Sequence, residues 1–417
     1  MIRFNKFKLK NGLTVITQLD KSTPLVNVNL LYKVGARNEN PDLTGFAHLF
    51  EHLMFGGTSQ VPDYDKVVQM VGGENNAFTN NDFTNFYISL PAPNLETALW
   101  LEADRMRNLN INQHSLDVQK AVVIEEFKQR YLNQPYGDIW LLLRPLAYKK
   151  HPYQWSTIGK DISHIEQAEL KQVREFYDQY YQPQNTILSV TGNFNPDSIR
   201  KLIQLYFGAV QNTCEIQNDY SFEEDQSEAR SLKVTRDVPY DALYIAFPMS
   251  SRFSSDYQVY DLISDILSSG KSSRFQQRLI LEKRLFSSVN AFITGDLHPG
   301  LFVFTGTLME GIRMEDAENA IWEEIETIRT EKVDARELRK NIHKMESAIS
   351  FSRLSSLNNA MNLAYFEMIG NVKEMNAEIK HYKTVRQEDI LSVASHSFTK
   401  EKSNTLYYFS QNQEKLS

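Results

Sequence analysis

A single cysteine, Cys214, is all the thiol chemistry this 417-residue chain carries. No disulfide can form within it, so its stability must come from packing. A block of positive charge is also missing: 45 Lys and Arg stand against 52 Asp and Glu, for a net charge of -7. That balance argues against nucleic acid or an anionic membrane surface as the main partner. Long apolar runs are absent too. A strongly apolar one, Ile139 to Leu143, has five residues, whereas a bilayer span needs about 20. The opening MIRFNKFKLKNG lacks the apolar segment of a secretory leader. These absences fit a cytoplasmic protein, and a periplasmic one whose leader had been removed would read the same.

What remains is an ordinary globular composition, 41% hydrophobic and 23% charged. The length exceeds what one core usually serves, so two domains are expected. Asn11-Gly12 marks a turn between strands at Phe4 to Leu9 and Thr14 to Gln18. Val26, Val28, Leu30, Tyr32 and Val34 alternate with Asn27, Asn29, Leu31 and Lys33, which predicts a half-buried strand. A helix is expected from about Leu43 to Phe55, and a short one from Asp65 to Val71. NNAFTNNDFTNFYISLP reads as two strands joined at Asn80-Asn81-Asp82. Further on, Leu116, Val123, Phe127 and Tyr131 keep helical spacing, with Val122 and Ile124 widening the apolar face.

Residues 215–230 (EIQNDYSFEEDQSEAR) are acidic and aperiodic, the most linker-like stretch of the chain. After them the order of elements starts again. Strand signals at Leu243 to Phe247, Ser288 to Ile293 and Leu301 to Thr307 alternate with helical ones at Tyr257 to Leu267, Phe275 to Lys283, Glu315 to Thr330 and Asp334 to Phe351. The expectation is a duplicated α+β unit, with domains at 1–214 and 231–417, each a mainly antiparallel sheet packed against helices.

One helix carries chemistry. GFAHLFEHLMFGGT places His48, Glu51 and His52 in the order H-x-x-E-H. Positions i and i+4 share a helical face with Cβ atoms about 5–6 Å apart. Two imidazoles so placed can reach one zinc ion at about 2.0–2.1 Å. Glu51, beside that face, could take a proton from a zinc-bound water. Chance yields this motif in roughly one such chain in a hundred, and lone helical histidines are usually solvated. Ala47, Leu49, Phe50, Leu53, Met54 and Phe55, however, make this helix apolar nearly all round. Two histidines and a glutamate within it call for a reason, and metal coordination is one. A catalytic zinc takes a third protein ligand. VVIEEF offers Glu125 and Glu126, adjacent residues about 100° apart on a helix. Periodicity does not choose between them.

With these motifs in hand, the chain resembles the pitrilysin-type (M16, inverzincin) zinc peptidases. The resemblance runs through HLFEHLMFGGT, GGENNAFTNNDFTNFY, AVVIEEF, HPYQWSTIG, YYQPQNTILSVTGNF and SSGKSSRFQQRLILEKRLF, over nearly the whole chain. It implies one zinc ion per chain with His48 and His52 as ligands, Glu51 as general base and Glu126 as third ligand. Gln119 stands where the family often has a second glutamate. The resemblance also implies that Asn76, Ala77, Phe78 and Thr79 form an edge strand to which peptide substrate adds as a further strand. Chains of this length in the family are half-clamshells that pair.

One departure stands out. Where the family has an arginine and a later tyrosine assisting the reacting carbonyl, this chain has Leu281 and Ser288. Arg278 and Arg284 are nearby but off register, and read as surface charges. A heterodimer with a homologous subunit supplying those two groups is therefore expected over a homodimer.

Overall fold

A computed structural model describes residues 1–216 and 220–411. Of the expected linker, residues 217–219 lie outside the described residues, as do the last six of the expected second domain, 412–417. The fold is α+β, in two compact units. The first comprises Met1–Gln129, Trp155–Ser221 and Ser350–Asn376; the second comprises Arg130–Gln154, Phe222–Ile349 and Ala377–Ser417. They change over at 221/222, inside the expected linker, but each also takes a segment from beyond it. Residues 222–226 are no free tether either: the Glu223 carboxylate accepts the N–H groups of Lys149, Lys150 and His151 at 2.8–3.0 Å.

The first unit holds six strands, β1 (Asn5–Lys8), β2 (Thr14–Leu19), β3 (Leu25–Tyr32), β4 (Glu74–Thr79), β5 (Thr84–Pro91) and β6 (Thr186–Gly192). The second holds five, β7 (Arg230–Arg236), β8 (Ala242–Pro248), β9 (Phe286–Ile293), β10 (Leu301–Leu308) and β11 (Asn404–Ser410). Their sheet orders are β1-β2-β6-β3-β5-β4 and β7-β11-β8-β10-β9. With β1 set aside, the two orders are the same. So are the directions: β2 runs parallel to β6 and β7 to β11, and every other pairing is antiparallel.

Each sheet is covered on both faces. In the second unit, helix α4 (Ile139–Ala147) lays Ile139, Leu143 and Ala147 on Ala242, Ala246, Leu301, Val303 and Leu406. The opposite face carries Leu243, Ile245, Phe247, Phe302 and Phe304, packed with α6 (Tyr257–Ser268) and α7 (Met314–Thr330). In the first unit the covering helix is α8 (Ser356–Met368), whose Leu363, Ala364 and Phe366 cluster with Ile16, Leu31 and Ile187.

That helix overturns the expectation of a half-buried β3, because every residue from Val26 to Tyr32 is buried. The asparagines of the alternate face meet hydrogen-bonding partners instead of water. Asn27 Nδ2 donates to Ser356 Oγ at 3.0 Å, Ser89 Oγ to Asn27 Oδ1 at 2.6 Å, and Asn85 Nδ2 to Asn29 Oδ1 at 2.8 Å. Among the described residues, no helix is long and apolar enough to cross a membrane.

Candidate metal centre

Three helices build the centre: α1 (Phe46–Leu53), α3 (Gln113–Phe127), which follows α2 (Leu95–Asn108), and α5 (Leu170–Tyr180). Helix α1 begins later than expected, at Gly45, whose φ of +94° belongs to the left-handed region. A Cβ there would lie 2.7 Å from the Ile158 carbonyl oxygen, so only glycine fits. Phe46, Ala47, Leu49, Phe50 and Leu53 are buried, and Phe50 stacks on Phe176 of α5 at 5.3 Å. This anchoring leaves His48, Glu51 and His52 on the remaining face, with the imidazole rings 4.9 Å apart and nearly perpendicular.

On α3, Leu116, Val123 and Phe127 face inward. Val122, expected to widen that face, is 45% exposed, because the helix rests on its neighbours along a narrower stripe. The two candidate glutamates part company here. Glu125 points to solvent, its side chain 62% exposed and paired with Lys128 Nζ at 2.7 Å. Glu126 turns toward α1 and brings Oε2 to 3.5 Å from His48 Nε2 and 3.3 Å from His52 Nε2. Beyond Glu126 the helix passes into a π-helical turn over Lys128–Leu132, a local widening often found beside functional groups.

These separations suit a shared cation. Ligands about 2.0–2.1 Å from a tetrahedral ion stand about 3.3–3.4 Å from one another. A charge-assisted hydrogen bond would draw the same atoms to about 2.7–2.9 Å. His48, His52 and Glu126 are also the one group of three or more possible ligands that converges among the described residues. Their side chains are 11%, 25% and 18% exposed, which is sheltered yet open on one side. Glu51 lies at the same helix face. Burial, with the Glu51 carboxylate adding to it, holds the Tyr181 phenol well above its ordinary pKa.

One edge of the first sheet is β4, which among the described residues pairs with β5 alone. Asn80 N–H donates to Phe83 O at 3.0 Å, which sets Asn76 and Phe78 in the hydrogen-bonded pairs with β5. The backbone groups of Asn75, Ala77 and Thr79 therefore point to the open edge. Ala77 N–H is met there by the neighbouring Asn76 Oδ1 at 2.8 Å, and Phe78 is 38% exposed.

In the second unit Leu281 is 54% exposed on a π-helical segment, Phe275–Glu282, and Ser288 is exposed on β9. Arg278 is half-exposed and paired with Glu324 at 3.0 Å.

Two groups escaped the sequence reading. The carboxyl of Glu39, only 5% exposed, accepts the N–H groups of Gly45 (2.8 Å) and Ala47 (2.9 Å) at the start of α1, and the Trp155 indole N–H (3.0 Å). Burial pushes its pKa up to about 8 against the pull of those donors. A helix whose N-cap is a glycine, with no side chain to accept its first N–H groups, was the available signal. The second is a buried ion pair on α2. Arg105 donates to both oxygens of Glu102 at 2.6 and 2.7 Å, and its guanidinium lies 4.5 Å from the Phe86 ring centroid and 4.7 Å from that of Tyr64.

Comparison with known proteins adds an independent line. The family model described as Insulinase (Peptidase family M16) matches residues 14–158, and the one described as Peptidase M16 inactive domain matches residues 167–345. The chain is 30% identical over 406 residues to the zinc protease PqqE of Helicobacter pylori, covering 96% of this chain and 91% of that protein. A solved protease structure from Helicobacter pylori superposes with a TM-score of 0.93 at 28% identity, over 98% of this chain and all of the other. The periplasmic protease PqqL of Escherichia coli shares the fold, with a TM-score of 0.78 at 18% identity over 97% of this chain and 47% of the other.

Proposed function

The chain belongs to the M16 insulinase family of peptidases, and from that premise we propose that it is a zinc metalloendopeptidase subunit hydrolysing peptides or unfolded polypeptides. The observation that carries the reading is that Glu126 Oε2 stands 3.5 Å from His48 Nε2 and 3.3 Å from His52 Nε2, in a cluster of three possible ligands. The two imidazoles and the carboxylate would hold one zinc ion per chain. A bound zinc ion polarises the scissile carbonyl and lowers the pKa of water. Glu51 is the catalytic base: it takes the proton of the attacking water and delivers it to the leaving amine. Glu125 plays no part in metal binding.

Peptide adds to the open edge of β4 at Asn76, Ala77, Phe78 and Thr79, where its backbone takes the N–H of Ala77 from the Asn76 side chain. Main-chain pairing disregards side-chain identity, which suits a peptidase acting on varied extended chains. The two units are copies of one duplicated unit, and only the first carries the metal ligands.

Leu281 and Ser288 leave the second unit without charged or phenolic donors for the reacting carbonyl. The working enzyme is accordingly a heterodimer, with a homologous subunit supplying those donors. PqqL, of which this chain spans about half, fits such a two-part unit. The same two residues favour a second reading, a zinc-holding peptide-binding subunit with little turnover of its own. The deciding measurement is the mass and zinc content of the native complex, with turnover of an unfolded peptide by this chain alone and in that complex. One zinc per chain, a homologous second chain and turnover only in the complex are expected. An active homodimer removes the partner requirement, and a zinc-free wild-type chain removes the metal reading.

A further inference from the structure

We propose that Glu39 is the positioning residue of the histidine helix: together with Trp155 it sets the rotation and depth at which His48 and His52 meet Glu126. The inference rests on the metal reading above. Helix α1 is eight residues long, two turns, and it begins at a glycine. The first N–H groups of a helix have no partner inside it, and a side chain at the N-cap normally accepts one of them. Gly45 has none, and the space around it admits none. Phe46 and Ala47, next in line, are apolar.

Glu39 takes over that work from six residues upstream, one oxygen on Gly45 N–H and the other on Ala47 N–H. Ala47 immediately precedes the ligand His48, so this grip bears directly on the metal face. A side-chain tip lies about 5–6 Å from a helix axis, so turning the helix by about 10° moves it by about 1 Å. Metal–ligand distances tolerate about 0.2 Å. Phe46 and Phe50 on Phe176 hold the flank of α1, while Glu39 grips the backbone of its first turn.

Glu39 is in turn fixed. Trp155, 2% exposed, gives its one N–H to Glu39 Oε2 and to the Ala36 carbonyl, both at 3.0 Å. The backbone N–H of Glu39 also bonds Ala36 O at 3.2 Å. The loop that delivers Trp155 delivers Ile158 as well, whose carbonyl closes off Gly45. Trp155 and Ile158 thus serve the start of α1 from over a hundred residues away.

The test uses the full-length chain and two variants. Glu39→Gln keeps the shape but turns an NH2 group toward one helix N–H in place of an oxygen. Trp155→Phe removes the indole donor and leaves both carboxylate–helix contacts. Zinc affinity by chelator competition, the visible spectrum of the cobalt-substituted protein and hydrogen exchange of the 45–53 amides in metal-free protein are read together with the thermal midpoint. We expect Glu39→Gln to weaken zinc binding by ~10-fold, to shift the cobalt bands and to speed exchange at 45–53. Trp155→Phe should lower the thermal midpoint yet bind zinc within ~3-fold of wild type. Wild-type zinc affinity and cobalt bands in Glu39→Gln overturn the proposal. So does a loss of affinity that simply follows the thermal midpoint across both variants. A wild-type chain that binds neither metal refutes the metal reading instead.

Discussion

In the first unit, the helix after β3, the second of the shared five strands in chain order, is α1, with His48 and His52 four residues apart. In the second unit, the helix in the same place is α6, with Asp261 and Asp265 four residues apart. Each is followed, five residues after its second polar position, by a glycine of positive φ, Gly57 at +81° and Gly270 at +90°. Each also meets the second helix after the central hairpin. In the first unit that helix is α3, which brings Glu126 to the imidazoles. In the second it is the helix Ala335–Ser352, which brings Lys344 Nζ to 3.5 Å from Asp265 Oδ1 and into a hydrogen bond with Ser269. Asp261 is taken by the Tyr382 hydroxyl at 2.5 Å.

The comparison separates scaffold from chemistry. Two imidazoles and one carboxylate converge as a set of possible ligands for a cation. In the second unit Asp265 instead pairs with an ammonium and Asp261 accepts a phenol hydroxyl. One topology thus carries a cluster of possible metal ligands in the first unit and an ion pair in the second. The sheet edges differ in the same sense. At β4, Ala77 N–H is met only by its neighbour's side chain, while at β9 the Ala291 carbonyl accepts Ser268 Oγ of α6 at 2.9 Å. One edge is open to another strand, and the other is closed off by its own helix.

The contrast can be broken from either side. Glu51→Gln should retain one zinc per chain and lower peptide turnover by ~100-fold or more; zinc loss in that variant would make Glu51 a ligand. Glu126→Gln should weaken zinc binding by ~100-fold, with Glu125→Gln within ~3-fold of wild type. Chelator competition ranks the two, and the reverse order would exchange their roles. Lys344→Met, which leaves Asp265 without its cation, should cost about 1 kcal/mol in urea unfolding, since the lysine is half-exposed, and should leave zinc content unchanged. Zinc loss there would mean that the two helix pairs are coupled. Ser268→Ala should have the smallest effect, about 0.5–1 kcal/mol of stability, with peptide turnover untouched.

Much of this was legible in the sequence because its signals are local. The alternation along β3, the Asn-Gly turn and the spacing of His48 and His52 each span a few residues, and the elements they predict lie within a few residues of the observed ones. Signals that failed were those whose partner is remote. The asparagines of β3 read as solvent-facing because α8, which buries them, is encoded some 330 residues later. Glu125 and Glu126 flank the same stripe, and only the position of Lys128 on one side and α1 on the other tells them apart. Glu39 looks like a loop residue because a remote cap leaves no pattern beside the helix that it serves.

The exchanged covering helices bear on how the chain is made. A ribosome that has released residues 1–230 has delivered all six strands of the first sheet and every residue of the candidate metal centre. It has not yet delivered α8, so Asn27, Asn29 and Ser189 face water where the finished protein seals them. The first unit therefore completes its folding only after the polypeptide has emerged past residue 376, and cutting the gene at the apparent linker would yield two halves that each want the other's helix.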